Sequence, residues 1–363
     1  MATYLIDPLA QYYLSSGVPD INVHTTETYV TVNLADHEGT PLLSERYYPY
    51  LLTATVRDLR SVIEQYMVSE QFPTCRFTLT VSDPAGVTVE NSFTVLYCPR
   101  RIPVRFELLA TQFFLTPWRV RRLHMASDLT LYFLLRADES GEMRISATVT
   151  RADGQVQTVR YTRQIAATTT DYALRSVSFS PRTVLAEVTE QVGEAVTLRS
   201  VTVDMGLRSL TYYIEQKTPA LTLRFRNSFN VMETLPIFAA VTAKTDHSAE
   251  SGICGDTFCQ YDVQTEKTWE VEISNLTPGD AALLEDLLVS PYIEVPVADL
   301  THAPGRYLEN TRVYITDSTL EPKRGTDELA TAKFTLRLGN ERLPGHFGSL
   351  QRVHTAPFAN PFS

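Results

Sequence analysis

The stretch "SDLTLYFLLRADESGEMRISATVTRADGQVQTVRYTRQ" (Ser127–Gln164) decides the fold class. Its β-branched and aromatic residues alternate with polar ones over three runs, which is the period of a half-buried strand. Between the runs lie "DESG" (Asp138–Gly141) and "ADGQ" (Ala152–Gln155), acidic residues followed by a glycine or leading into one. That is the chemistry of tight hairpins, so the expectation is a three-stranded meander. "DYALRSVSFS" and "AVTLRSVTVDM" continue the pattern downstream, with no long helix expected between them. Short strands at this spacing point to a sandwich or barrel with antiparallel pairing.

The flanking segments add more strands and two short helices. "INVHTTETYVTVNLAD" (Ile21–Asp36) reads as one or two strands, and "RFTLTVSDPAGVTVENSFTVLY" (Arg76–Tyr97) as a hairpin turned by "DPAG". "VRDLRSVIEQYM" switches to helical period, with Leu59, Val62, Ile63 and Tyr66 on one stripe, so a helix is expected over about 56–67. A second is expected over about 278–290: Thr277 can cap it, Pro278 suits its first position, and Asp280 suits its first turn. Ala281, Leu284, Leu287 and Leu288 form its apolar stripe. Leu221–Phe225 and Leu235–Val241 read as two strands joined by "NSFNVMET", with Arg224 and Arg226 on the exposed face. "RVYITDSTLEP" and "ATAKFTLRLGN" supply two more strands. The fold class is therefore mainly β, as multi-domain antiparallel sandwich or barrel modules. The expected divisions are 1–100, 101–215, a sandwich, 216–342, and an extended tail over 343–363.

Composition narrows the function classes. The 363 residues carry 32 basic and 42 acidic side chains, a formal charge of −10, which disfavours sequence-independent binding of nucleic acid. A local basic run, "CPRRIPVRF" (Cys98–Phe106) followed by "WRVRRLH" (Trp118–His124), reads as a solvated or partner-facing strand edge. There is no apolar run long enough to insert in a membrane, and the first residues lack a secretory pattern, so synthesis in a cytoplasm is expected. Cys254 and Cys259 leave three alternatives: reduced thiols, which a reducing compartment favours, a small disulfide loop, or a metal site with His247. Cys75 and Cys98 are candidates to face each other across a hairpin.

Catalytic signatures are not found. There is no nucleophile elbow, metalloprotease helix, phosphate loop or dinucleotide fingerprint. "TDHS" (Thr245–Ser248) reads as a turn, because adjacent residues do not readily converge as a triad. Glu270 and Glu272 alternate onto one strand face opposite Trp269, the pattern of a solvated face with one buried tryptophan. No catalytic residue, cofactor or metal is expected. The candidate contact residues are Trp118, Arg121, Arg224, Arg226, Phe358 and Phe362, the last two in "FANPF"; "RYYPYLL" (Arg46–Leu52) is a further aromatic candidate patch.

"LRFRNSFNVMETL", "TAKTDHS", "TWEVEISNLTPGDAALLEDLLVSPYIEV", "RVYITDSTLEP" with "ATAKFTLRLGN", "NSFTVLYC" and "ATQFFLTPWR" together resemble tail-tip proteins of phages and prophages of gut Bacteroides-type bacteria. The resemblance implies a virion structural protein of the distal-tail or baseplate-hub class. It would form a ring of copies of itself, six by analogy, joining the tail tube to hub, fibre or host-recognition proteins. A galectin-like sandwich for the middle segment is a further analogy. Two competing classes remain: a β-sandwich that binds host surface glycans, which needs an exposed Trp or Tyr cleft, and a tail-tip glycan hydrolase, which needs two converging carboxylates.

Overall fold

The computed structural model describes residues 3–254, 257–296, 310–321 and 330–338. Alternation of apolar and polar residues in the first hundred positions builds β1 (Tyr4–Leu5), β2 (Tyr12–Leu14), β3 (Ile21–His24), β4 (Val30–Ala35), β5 (Pro41–Tyr47), β6 (Thr53–Val56), β7 (Thr74–Ser82) and β8 (Thr88–Leu96). Helix α1 (Leu59–Ser69) lies between β6 and β7, starting later than its periodicity suggests because Val56 still belongs to β6. The sheet order is β2-β8-β7-β4-β5, with β1-β3-β6 as a smaller sheet. Leu59, Ile63 and Met67 of α1 share a core with Val32, Phe77 and Val95. The expected "DPAG" hairpin is present: Gly86 sits at φ +86 and donates its amide to the Asp83 carbonyl. Cys75 lies opposite Val95 rather than Cys98, and both thiols are free and buried.

The five-residue connection that closes β4 onto β5 is tied by a carboxylate. Asp36 accepts from the amides of Glu38 and Thr40 at 2.9 and 2.8 Å, and from the Tyr66 hydroxyl at 2.5 Å. The Tyr66 bond above all holds the Asp36 carboxyl below its ordinary range, and burial with Asp36 pushes the Tyr66 phenol up. A carboxyl depressed on folding stabilises above its ordinary value of 3.8 and loses that contribution as pH falls through the lower folded value. Urea midpoints followed from about pH 5 to pH 2 are therefore expected to fall, and Asp36→Asn should flatten the slope. An unchanged slope in that variant would show the bond to be absent in solution.

The middle segment holds α2 (Phe106–Gln112), β9 (Val120–His124), β10 (Leu129–Leu135), β11 (Glu142–Arg151), β12 (Val156–Gln164), β13 (Ala173–Phe179), α3 (Pro181–Val192), β14 (Val196–Met205) and β15 (Arg208–Glu215). A five-stranded sheet, β12-β11-β14-β15-β9, faces a two-stranded one, β10-β13, across a core closed by Val184 and Val188 of α3. Three expectations are corrected here. The "ADGQ" hairpin between β11 and β12 forms, with Gly154 at φ +84, but "DESG" does not turn a hairpin: β10 crosses to pair with β13. The reason is that β10 is apolar on both faces, with Phe133 and Leu135 in one core and Leu134 in another. A twelve-residue helix, α3, stands where none was expected, capped by Ser180 and Thr183 and ended by Gly193 at φ +76. Finally, the pairing is not wholly antiparallel, since β9 joins β15 and β2 joins β8 in parallel.

The third segment contains β16 (Leu221–Arg226), β17 (Met232–Ile237), β18 (Ala240–Cys254), β19 (Thr257–Leu276), α4 (Pro278–Leu288), β20 (Ile293–Pro296), β21 (Asn310–Glu321) and β22 (Ala330–Leu338). They form one seven-stranded sheet, β17-β16-β20-β21-β22-β19-β18. Its two edge strands are joined by only Phe238 and Ala239, so the sheet curls into a half-barrel. Leu283, Leu284 and Leu287 of α4 fill the core beside Trp269 and Phe334. The Thr277–Asp280 capping box and Pro278 start α4 as read from the sequence; Leu283 is fully buried, whereas Ala281 and Leu288 are only partly so. "TDHS" is not a turn but lies within β18, its backbone paired with the facing residues of β19. The candidate tail over 343–363, with Phe358 and Phe362, lies outside the described residues, as do the side chains of His247, Cys254 and Cys259.

Candidate functional site

A fourth core unites the three segments. Leu14, Leu96, Cys98, Phe106, Leu109, Leu115 and Leu134 close around Phe229 and Val231, which sit in the turn between β16 and β17. Each of those two side chains contributes about 1.5–3 kcal/mol by leaving water. Asn227 and Asn230 shape the turn and extend it outward. The Asn227 carboxamide accepts from the Phe229 amide and donates to the Leu115 carbonyl at 2.8 Å. Asn230, at φ +58, donates to the carbonyls of Met67 and Phe72 at 2.8 and 3.1 Å. The Ser228 amide donates to Asp286 on α4, which also meets Arg100 at 3.0 Å. "NSFNVMET" is thus the point where the three segments lock.

Strand β9 makes the second lock. Arg121 is 3% exposed and reaches Glu233 at 2.5 Å and the Thr234 carbonyl at 2.8 Å, both on β17. Burial works against its charge, but Glu233, with Tyr212 and Asp280, outweighs that and raises its pKa. The neighbouring Arg122 donates to Asp280 on α4 at 2.7 Å. Close packing follows at the start of α4, where a Cβ on Gly279 would lie 2.2 Å from the Val120 carbonyl and 2.6 Å from the Trp118 ring. A second buried arginine, Arg208, pairs with Glu139 and donates to the carbonyls of Ala110 and Leu134, tying β15 to α2 and β10.

The residues singled out from the sequence therefore divide. Arg121 is not a partner-facing edge residue: it is buried inside the chain, because β9 is covered by β17. Arg226 is half-buried and internal as well, donating to Asn230 at 2.8 Å and to the Gln71 side chain at 2.5 Å. Burial lowers its pKa. Trp118 is 41% exposed, and Arg224 is exposed beside Glu294 at 3.7 Å, so these two remain on the surface. Trp269 is buried, and Glu270 on its reverse is held by Lys244, which keeps that carboxyl below its usual range.

Arg224 lines an open cleft of about 730 Å³ between the middle and third segments. Its walls carry the hydroxyls of Thr130, Tyr132, Ser178, Ser180 and Thr234, with Asp128 and His124. Burial, with Arg182 nearby, lowers the His124 pKa, which favours the neutral ring. Among the described residues, no group of three or more His, Cys, Asp or Glu side chains is placed to hold a metal ion, and no helix is long and apolar enough to cross a membrane. Burial pushes the thiols of Cys75 and Cys98 up to about 11, so neither is an activated nucleophile.

The most extended feature is the β18–β19 ribbon. Beyond Thr268, which pairs with Arg337 of β22, the two strands pair, among the described residues, only with each other, out to Cys254 opposite Thr257. Ten residues per strand at strand rise make an arm roughly 33 Å long.

No protein-family model and no curated protein matches the chain. A solved structure that aligns with it is a mutant of Salmonella alpha-2-macroglobulin, 8% identical, covering 77% of this chain and 22% of its own length, at a TM-score of 0.20. The chain spans about a fifth of that protein. A likeness at this level informs neither fold nor function.

Proposed function

We propose that the chain is a structural subunit of a phage tail tip, of the distal-tail or baseplate-hub class, which assembles with copies of itself into a ring. The ring joins the tail tube to the host-recognition apparatus and resides in the virion after synthesis in the bacterial host. The phage assignment rests on the sequence resemblance; the observation that supports an assembling part is the ribbon. A two-stranded hairpin is marginal in water by itself, and its outer edges, which no other described strand covers, present backbone groups that invite a neighbouring chain. Three cores locked through a fourth give such a part the stiffness to transmit load.

Replacing 245–267 with a two-residue turn is expected to leave the thermal transition of the rest unchanged and to shift the distribution of species towards single copies. Sedimentation velocity and negative-stain imaging of both proteins read the outcome. Identical distributions would remove the ribbon from assembly.

One observation favours a second reading, a glycan-binding module. The 730 Å³ cleft combines many hydroxyls with Tyr132 and Phe179, the mixture that suits a sugar's polar edge and apolar face. Titration with host surface glycans, and loss of binding in Arg224→Ala, would favour that reading over a purely structural one.

A further inference from the structure

The loop between β5 and β6 takes no part in the cores or the ribbon. Tyr50 and Thr53 exchange both backbone hydrogen bonds, at 2.9 and 3.0 Å, closing a two-residue turn with Leu51 and Leu52 at its tip. Their φ angles are +49 and +69, both left-handed. A two-residue hairpin with positive φ at both positions favours Asn-Gly, because branched side chains crowd the backbone there. Here the position holds two leucines, 82% and 51% exposed, flanked by Tyr48 at 71% and Tyr50 at 80%. Strain and exposed apolar surface thus coincide at one tip, and neither helps a turn that merely reverses the chain.

The same chain carries a receptor of matching character. A groove of about 390 Å³ is lined by Tyr12, Leu14, Ile102, Val104 and Phe106, with the Tyr12 ring stacked on Phe106 at 5.1 Å. The turn follows β5 at one edge of the β2-β8-β7-β4-β5 sheet, and the groove begins at β2 on the other. Four strand spacings, about 19 Å, separate the two edges. Both sites carry both signs of charge: Glu45 and Arg46 precede the turn, and Arg101, Arg105 and Glu107 rim the groove.

The geometry points to a head-to-tail contact in which the Tyr48–Leu52 turn of one copy seats in the Tyr12–Phe106 groove of the next. Two different surfaces at opposite edges are what a heterologous contact requires, and its repetition yields a ring or a filament. This inference rests on the reading of the chain as an assembling subunit.

The test uses the full chain and two variants. Leu51→Asn with Leu52→Gly gives the turn residues that its backbone favours, so folding is retained while the apolar tip is lost. Val104→Asp places a charge in the groove. Sedimentation velocity over a range of concentrations should show association of the unaltered protein and at least about a tenfold weakening in either variant. Mixing the two variants should give a two-copy complex and nothing longer, since only one intact turn and one intact groove remain complementary. If the turn variant associates as strongly as the unaltered protein, the turn contact is overturned and the assembly reading stands. If the unaltered protein stays single at every concentration, both fall. Flotation with phosphatidylcholine vesicles that the turn variant loses would assign the tip to a lipid surface and overturn the contact between copies.

Discussion

Arg121→Ala is expected to lower the unfolding free energy by about 3–5 kcal/mol, the range found when one partner of a buried ion pair is removed. The size follows from what is left behind. Glu233 is 7% exposed and would keep a charge with no cation beside it, while the Thr234 carbonyl would lose its donor. The Arg121 Nε already lacks a partner, so the wild-type pair is held by its two terminal nitrogens. The comparison that isolates the effect is Arg121→Met with Glu233→Leu, which removes both charges and refills the space. It should cost much less than the single change, because no charge is stranded. Denaturant unfolding of the three proteins measures the difference. A single-variant loss within about 1 kcal/mol would mean that water reaches the pair in solution.

The second large effect concerns Asn230→Ala, expected to cost about 2–4 kcal/mol, by leaving the Phe72 carbonyl just beyond α1 without its carboxamide donor and the Met67 carbonyl with only the Phe72 amide, and by placing a less tolerant residue at positive φ. Asn230→Gly separates these contributions, since glycine accepts the backbone angle but supplies no carboxamide. It should recover roughly 1 kcal/mol of the loss. Hydrogen exchange should quicken at Met67–Phe72 in both variants, because that segment is anchored by Asn230 of the β16–β17 turn. Quickening confined to the β16–β17 turn would show that the seam does not depend on Asn230.

Legibility in the sequence followed the range of the interactions. The α4 start was readable because Thr277, Pro278 and Asp280 act within one turn of helix, and the Asp83–Gly86 hairpin was readable for the same reason. Helix α3 carried equally local signals in Ser180, Pro181, Thr183 and Gly193, which went unread between two strong strand patterns. α2 has only seven residues, too few to show a period. The role of Arg121 was not legible, since its partner lies 112 positions away and nothing near Arg121 announces it. Nor was the Leu51–Leu52 turn, because its residues break the preference that makes such turns recognisable. Thr245–Ser248 misled in the opposite sense: small polar residues suggest a turn, but the facing strand of the ribbon supplies their backbone partners. The surface candidates separated by what covers their strand, which a single sequence does not reveal.

The fourth core also sets an order of events during synthesis. Its first members, Leu14, Leu96 and Phe106, leave the ribosome more than a hundred residues before Phe229 and Val231 arrive to cover them. The bond from Asn230 to Met67 spans 163 positions. Until that turn emerges, the nascent chain carries a folded first module with an open apolar face, and the middle module hangs from it without its clasp on β9. Closure of such distant contacts is slow compared with local hairpins and helices. A chain released shortly before position 227 would keep most of its sheets and still be sticky, a natural client for chaperones, whereas one in which β17 has cleared the ribosome would already have its clasp strand.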